Sequence, residues 1–180
     1  MISGPSGAGK GTVVRGLLER HPDMVLSVSA TTRPARPGER NGTDYIFMSR
    51  TEFAAMRERG EFLEWAEVYG NFYGTPRGPV DQAMAMGRDV IAELDIQGAQ
   101  SAKRAKPDAV LIFIEPPFFE DLVLRFRGRG TDDPETISKR VKVAYDEVKT
   151  KGSYDHIIVN DRVEDAVEQL VRIITEQAHK

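Results

Sequence analysis

The chain has 180 residues, 40% hydrophobic and 29% charged, which suits one globular domain with a substantial core and excludes a disordered tail. A net charge of −3 and an isoelectric point near 5.7 supply no global basic field of the kind that draws proteins onto nucleic acid or anionic membrane, so local basic pockets for small anions are expected. No cysteine is present and His21, His156 and His179 have no metal-ligand spacing, which excludes disulfide scaffolds, thiolate zinc sites and cysteine nucleophiles.

Short branched apolar runs alternate with stretches of helical periodicity, the pattern of an α/β fold with a parallel sheet and helices on both faces. In chain order, Met1, Ile2 and Ser3 form a strand shorter than the usual length of about five or six residues, so either native residues are expected to be missing ahead of it or the chain begins unusually late. A helix is predicted over 10–20, stopped by His21, Pro22 and Asp23, followed by a strand over 25–29. Residues 30–75 break the alternation. A loop dense in Pro, Arg and Gly leads to a helix over 51–59 and aromatic strand-like pieces at 45–47 and 62–69, ending in Gly70-Asn71-Phe72-Tyr73-Gly74. This predicts an inserted, partly antiparallel subdomain.

Helices are then expected over 79–86, 99–105, 119–126, 134–149 and 163–178, and strands over 89–94, 109–115 and 156–160, the three strands reading as buried and central. A second break, the basic segment from Arg125 to Pro134, suggests a lid. The organisation predicted is a single domain over 1–180, with a core of 1–29, 76–124 and 151–180, an insertion at 30–75 and a lid at 125–150. No apolar run approaches the roughly 18 to 20 residues of a membrane span, and no basic-then-apolar leader precedes the fold, so a cytoplasmic enzyme is expected.

Gly4, Pro5, Ser6, Gly7, Ala8, Gly9, Lys10, Gly11 and Thr12 form a phosphate-binding loop directly before a helix. Its glycines let backbone N–H groups converge on a phosphate, the helix adds its positive end, and Lys10 places a cation on the transferring group. Gly11 stands where the strict motif has a hydroxyl for magnesium, which makes Thr12, one place later, the candidate metal ligand. Such a loop alone fits a GTPase, a motor ATPase or a small-molecule kinase. The Asn-Lys-x-Asp motif of guanine-binding GTPases is missing, the nearest string being Asn160-Asp161-Arg162. Two arginine groups, Arg33 with Arg36 and Arg125, Arg127, Arg129 with Arg140, suggest two anionic substrates, an acceptor phosphate and a donor.

Further strings extend the pattern: Ser27 to Arg33, Arg36-Pro37-Gly38-Glu39, Gly42-Thr43-Asp44-Tyr45, Phe62-Leu63-Glu64, Tyr73-Gly74-Thr75, Asp95-Ile96-Gln97-Gly98 and Arg125 to Thr131. In this order, over essentially the whole chain, they resemble the bacterial-type guanylate kinases of the nucleoside monophosphate kinase group. The resemblance implies a P-loop NTPase-type fold with a GMP-binding insertion and a lid. It also implies transfer of the γ-phosphoryl group of ATP to GMP and dGMP, with Mg²⁺ accompanying ATP.

By the same resemblance, Ser29, Arg33, Arg36, Tyr45 and Tyr73 bind the GMP phosphate, Glu64 and Thr75 read the base, and Asp95 stands near GMP and the metal. Glu93, where the family has Asp, is left without a role. Arg125, Arg129 and Arg140 are the lid arginines, acting with Lys10 and Arg36 in catalysis, and Asn160 joins the loop residues on the ATP side. The expected partners are ATP and GMP, without nucleic acid or membrane, for a monomer or small homo-oligomer. Two other readings stay open here: a non-catalytic module of the same fold that holds phosphopeptides, and a kinase for another nucleoside monophosphate.

Overall fold

The branched runs form strands and the amphipathic stretches helices in the computed structural model, which describes residues 1–68, 70–128 and 134–178. The strands are β1 (Ile2–Ser3), β2 (Val25–Ser27), β3 (Ala30–Thr31), β4 (Ile46–Phe47), β5 (Phe62–Val68), β6 (Asn71–Pro76), β7 (Val90–Ala92), β8 (Ile112–Glu115) and β9 (His156–Val159). The helices are α1 (Lys10–Arg20), α2 (Arg50–Glu58), α3 (Arg77–Ala85), α4 (Ile96–Ala105), α5 (Phe119–Gly128), α6 (Pro134–Lys149) and α7 (Val163–Ala178), with a 3₁₀ turn at Thr150–Ser153. Helices α1, α6 and α7 have the bounds expected from sequence. Helix α4 begins three residues earlier than expected, because Asp95 caps it by accepting from the Gly98 amide at 2.6 Å.

The chain divides into two units, Met1–His21 with Val110–Lys180, and Pro22–Ala109. In the first, β1, β8 and β9 form a parallel sheet in that order, with Ile2 opposite Ile112 and Ile112 opposite His156. Helices α1 and α7 pack together, and α5 packs on α6 through Phe119, Leu122, Ile137, Val141 and Ala144. Strand β8 is central and buried, as expected. Strand β9 is not: it lies at the edge of this sheet, burying Ile158 while leaving Ile157 and Val159 43% and 44% exposed. An apolar run of three residues hides this alternation, since both faces carry branched residues.

In the second unit β2 and β7 pair in parallel, and a mixed sheet runs β4-β3-β6-β5, parallel between β4 and β3 and antiparallel elsewhere. Phe53 of α2 stacks on Phe62 at 4.4 Å and on Phe72 at 5.5 Å, and Ala30, Ile46, Met48 and Met56 complete this core. Helix α2 is started by a capping box: Ser49 accepts from the Glu52 amide, and Glu52 accepts from the Ser49 amide at 2.7 Å. Ser49→Ala is expected to cost about 1 kcal/mol, read as a lowered urea midpoint at unchanged slope; an unmoved midpoint would mean that the cap contributes nothing.

The register of β5 decides which way its side chains point. Phe62 pairs with Pro76 and Glu64 with Thr75, so Leu63 is an extra residue in the ladder, a β-bulge. Without it Phe62 and Glu64 would share a face, as residues two apart on a strand do. The bulge instead puts Phe62 on the face of Phe72, against the aromatic core, and Glu64 on the face of Tyr73 and Thr75.

Candidate active site

In the first unit the phosphate loop leaves β1 at Gly4, whose φ of 141° and lack of side chain are both required: a Cβ there would sit 2.0 Å from the Ile114 carbonyl oxygen of β8. The loop enters α1 through Gly9 in the left-handed conformation, with φ of 87°. No side chain caps α1, and no acidic residue occupies its first turn, so its positive end is left for an anion.

Lys10 Nζ donates to the carbonyls of Gly4 at 2.7 Å and Pro5 at 3.1 Å, inside the same loop. Beneath the loop lies Asn160, 3% exposed, whose side-chain nitrogen donates to the Ala8 carbonyl at 2.8 Å. A Cβ at Gly9 would meet that nitrogen at 2.4 Å, so loop and asparagine are fitted to each other. Arg125 of α5 donates to the Gly7 carbonyl at 2.8 Å, which places one expected lid arginine on the loop itself. Arg140 stands half-buried on α6, and Arg129 lies outside the described residues. Ser6 and Thr12 are exposed, Thr12 on the first turn of α1 after Gly11.

The second unit holds a separate group. Thr31 Oγ1 accepts from the Arg33 amide at 3.1 Å and so turns the chain out of β3. The Arg33 guanidinium lies over Tyr45 at 5.4 Å and Phe47 at 5.8 Å. It donates to both carboxylate oxygens of Glu39, at 3.0 and 2.9 Å, and to the Pro34 carbonyl at 2.7 Å. Glu39 also accepts from the Arg36 amide at 2.7 Å. The Arg33 hydrogen bonds hold the Glu39 carboxyl below the usual carboxylate range against the opposing effect of burial, with the Arg36 amide adding to the lowering. The same pairing raises Arg33.

Tyr45 packs edge-on to Tyr73 at 6.0 Å. Burial pushes its phenol up, and the Glu93 carboxylate adds to the rise. Ser29 is half-buried just before β3, its carbonyl accepting from the Ile46 amide at 2.9 Å, and the Arg36 side chain is exposed.

Along β6, Tyr73 and Thr75 share a face about 7 Å apart. Thr75 donates its hydroxyl hydrogen to Glu64 Oε1 at 2.7 Å. Glu64 is 7% exposed, and its carboxyl is pushed up to about 7: burial raises it most, the Thr75 hydrogen bond pulls it back, and the Asp95 carboxylate raises it further. The second unit thus gathers Arg33, Tyr45 and Tyr73 at one point along β6 and a buried carboxyl beside a hydroxyl two residues further on. Sequence reasoning missed Glu39, although its acid six residues after Arg33 was visible in the Arg36-Pro37-Gly38-Glu39 string, and it missed the bulge that turns Glu64 inward.

Comparison with known proteins agrees with this chemistry. The family profile described as guanylate kinase matches residues 1–177. A guanylate kinase of Aromatoleum aromaticum is 49% identical over 174 residues, covering 97% of this chain and 85% of that protein. One of Carboxydothermus hydrogenoformans is 47% identical over 180 residues, covering 100% and 88%. The crystal structure of guanylate kinase from Anaplasma phagocytophilum superposes with a TM-score of 0.83 at 37% identity, covering 99% of this chain and 85% of that one. The chain belongs to the guanylate kinase family.

Proposed function

We propose that this protein transfers the γ-phosphoryl group of ATP to GMP and dGMP, giving ADP and the nucleoside diphosphate. The observation that carries the reading is Glu64, turned inward by the bulge at Leu63 and paired with Thr75 on the face that Tyr73 shares. An ionised carboxylate there accepts from guanine N1–H and the exocyclic amine. Adenine presents an acceptor in place of the first and lacks the second, so AMP would leave a buried carboxylate unpaired.

A monophosphate's second pKa is near 6, so the acceptor oxygen is largely ionised at neutral pH and no general base is needed. The protein supplies position and positive charge. Glu39 and Pro34 commit the Nη1 hydrogens of Arg33 and one on Nη2, and Tyr73 also bonds the guanidinium, so the acceptor phosphate is taken where Arg33 and Tyr73 meet. Arg36, Tyr45, Tyr73 and Ser29 complete its shell, with Asp95 beside the base. We assign 30–75 the role of GMP-binding insertion and 125–150 that of lid. On the donor side the loop from Gly4 to Thr12 takes the ATP phosphates, Lys10 and Arg125 offset charge on the migrating group, Arg129 and Arg140 join them from the lid, and Asn160 braces the loop.

Among the described residues no group of three His, Asp or Glu could hold a metal by itself, which suits Mg²⁺ carried by the nucleotide with Thr12 as the protein's candidate ligand. When bound, the ion supplies positive charge to the β- and γ-phosphate oxygens. Among those residues no helix is long and apolar enough to cross a membrane. The reading is of a cytoplasmic enzyme, monomeric or a small homo-oligomer, acting on ATP and GMP and not on nucleic acid. A coupled ADP-release assay with GMP, dGMP, AMP, CMP and UMP tests it. GMP and dGMP are expected to support turnover and the others not; turnover on AMP alone, or on no acceptor, overturns it.

A further inference from the structure

Gly98 lies in the first turn of α4 and is buried, yet it is not among the glycines with positive φ, so its backbone conformation asks for no glycine. Inside a helix, glycine is a poorer choice than alanine. The reason for it lies in the space around it. A Cβ built there would sit 2.7 Å from Glu64 Oε2, 2.9 Å from Asp95 Oδ1 and 3.2 Å from Glu64 Cδ, so both carboxylates are drawn up against its bare Cα. Oε1 of the same Glu64 carboxylate is fixed by Thr75 at 2.7 Å, and the Gly98 amide is fixed by Asp95 at 2.6 Å. The base-facing carboxylate is therefore bounded on one side by a hydroxyl and on the other by the absence of a side chain, beside the positive end of α4.

We propose that Gly98 is a positioning residue for guanine discrimination: its missing side chain leaves the space in which the Glu64 carboxylate stands, and any Cβ there moves that carboxylate off the base. This rests on the reading that Glu64 recognises guanine. The atoms a methyl group would meet first are the ends of two side chains and not backbone, so the carboxylates give way before the helix does. Two hydrogen bonds from a planar base edge to one carboxylate tolerate little displacement.

Gly98→Ala is expected to raise the GMP KM about tenfold while kcat and the ATP KM change little. Selectivity for GMP over inosine monophosphate, which keeps N1–H and lacks the exocyclic amine, is expected to fall by a similar factor. A loss of folding alone would not split KM from kcat or change the ratio of two acceptors. Glu64→Asp shortens the reader by one methylene and relieves the closest of the contacts that the new methyl group makes, leaving that with Asp95 Oδ1. The Glu64→Asp/Gly98→Ala double variant should therefore lose less than the sum of the two single changes.

Wild-type GMP KM and acceptor ratio in Gly98→Ala overturn the proposal, provided that Glu64→Gln raises the GMP KM. If Glu64→Gln also leaves it unchanged, the guanine-reading role of Glu64 has failed first and the proposal falls with it. Should Gly98→Ala not fold, the double variant decides. Folding with recovered GMP binding supports the proposal, and failure to fold there too overturns it.

Discussion

Glu64→Gln is expected to raise the GMP KM about 100-fold, to leave kcat for bound GMP less affected, and to remove most of the discrimination against AMP. The amide keeps the size of the side chain, but it presents a donor where guanine also presents donors. The size of the effect should depend on pH. Glu64 titrates at about 7 in the free protein, and only its ionised form accepts from the base edge. The wild-type GMP KM should therefore climb as pH falls below 7, approaching tenfold per unit. Taking the ratio of variant to wild type cancels the phosphate's own titration, so that ratio should shrink toward low pH. A ratio constant from pH 5.5 to 8.5 would sink the assignment.

The same carboxyl is a stability liability, and the sign follows from the direction of its shift. Its folded-state value is raised from the ordinary 4.5 to about 7, so the folded protein holds the proton more tightly than the unfolded chain. That stabilisation is complete below about pH 4.5 and is lost as pH rises through 7, amounting to about 3 kcal/mol. Glu64→Gln does not titrate. Relative to wild type it should gain about that much stability between pH 4.5 and 8, measured by urea unfolding at both values. A variant that loses its substrate while gaining stability at pH 8 marks a residue kept for recognition and not for the fold; an equal difference at both pH values contradicts the buried, proton-binding carboxyl.

What the sequence disclosed and what it hid follow from how each feature is encoded. The loop from Gly4 to Thr12 was readable because its chemistry is local, with glycines, lysine and helix start contiguous. Helices α1, α6 and α7 were readable to the residue, α1 closed by His21 and Pro22 and α6 opened by Pro134. Composition shows β6 only as an aromatic tail over 70–74, and the start of α4 is hidden because Asp95 serves as its cap. Strand β9 looks central in sequence and lies at an edge, because composition does not say which side of a strand has a neighbour. The pairing of Glu64 with Thr75 depends on one extra residue in a ladder, and only register reveals it. Counted by alternation from Phe62, Glu64 belongs on the aromatic-core face; its role at the base comes from family resemblance, and its place on the face of Tyr73 and Thr75 from the bulge. Glu39 and Gly98 were hidden for a related reason: one acts by holding another residue's fork, the other by occupying no space.

Lys10→Met should lower kcat by about 10³-fold or more while GMP affinity, measured by direct titration, stays within about twofold. Methionine keeps the length of the side chain and discards its charge. In the free protein the ammonium is held by the Gly4 and Pro5 carbonyls, the first turn of the loop it serves, so it waits in place and does not have to be recruited from solvent. The positive charge matters most where negative charge spreads over the transferring phosphoryl group, which is why the loss should appear in turnover. GMP affinity should hold because the residues assigned to GMP lie elsewhere in the sequence, from Ser29 to Asp95. Lys10→Arg should not restore full activity. Its charge is retained, but a planar fork cannot take the place of a compact ammonium between two loop carbonyls and a phosphate. Near wild-type turnover in Lys10→Met would overturn the phosphoryl-transfer reading at its root. A large fall in GMP affinity with unchanged kcat would instead assign Lys10 to the acceptor, and the division of labour between the two arginine groups would have to be reversed.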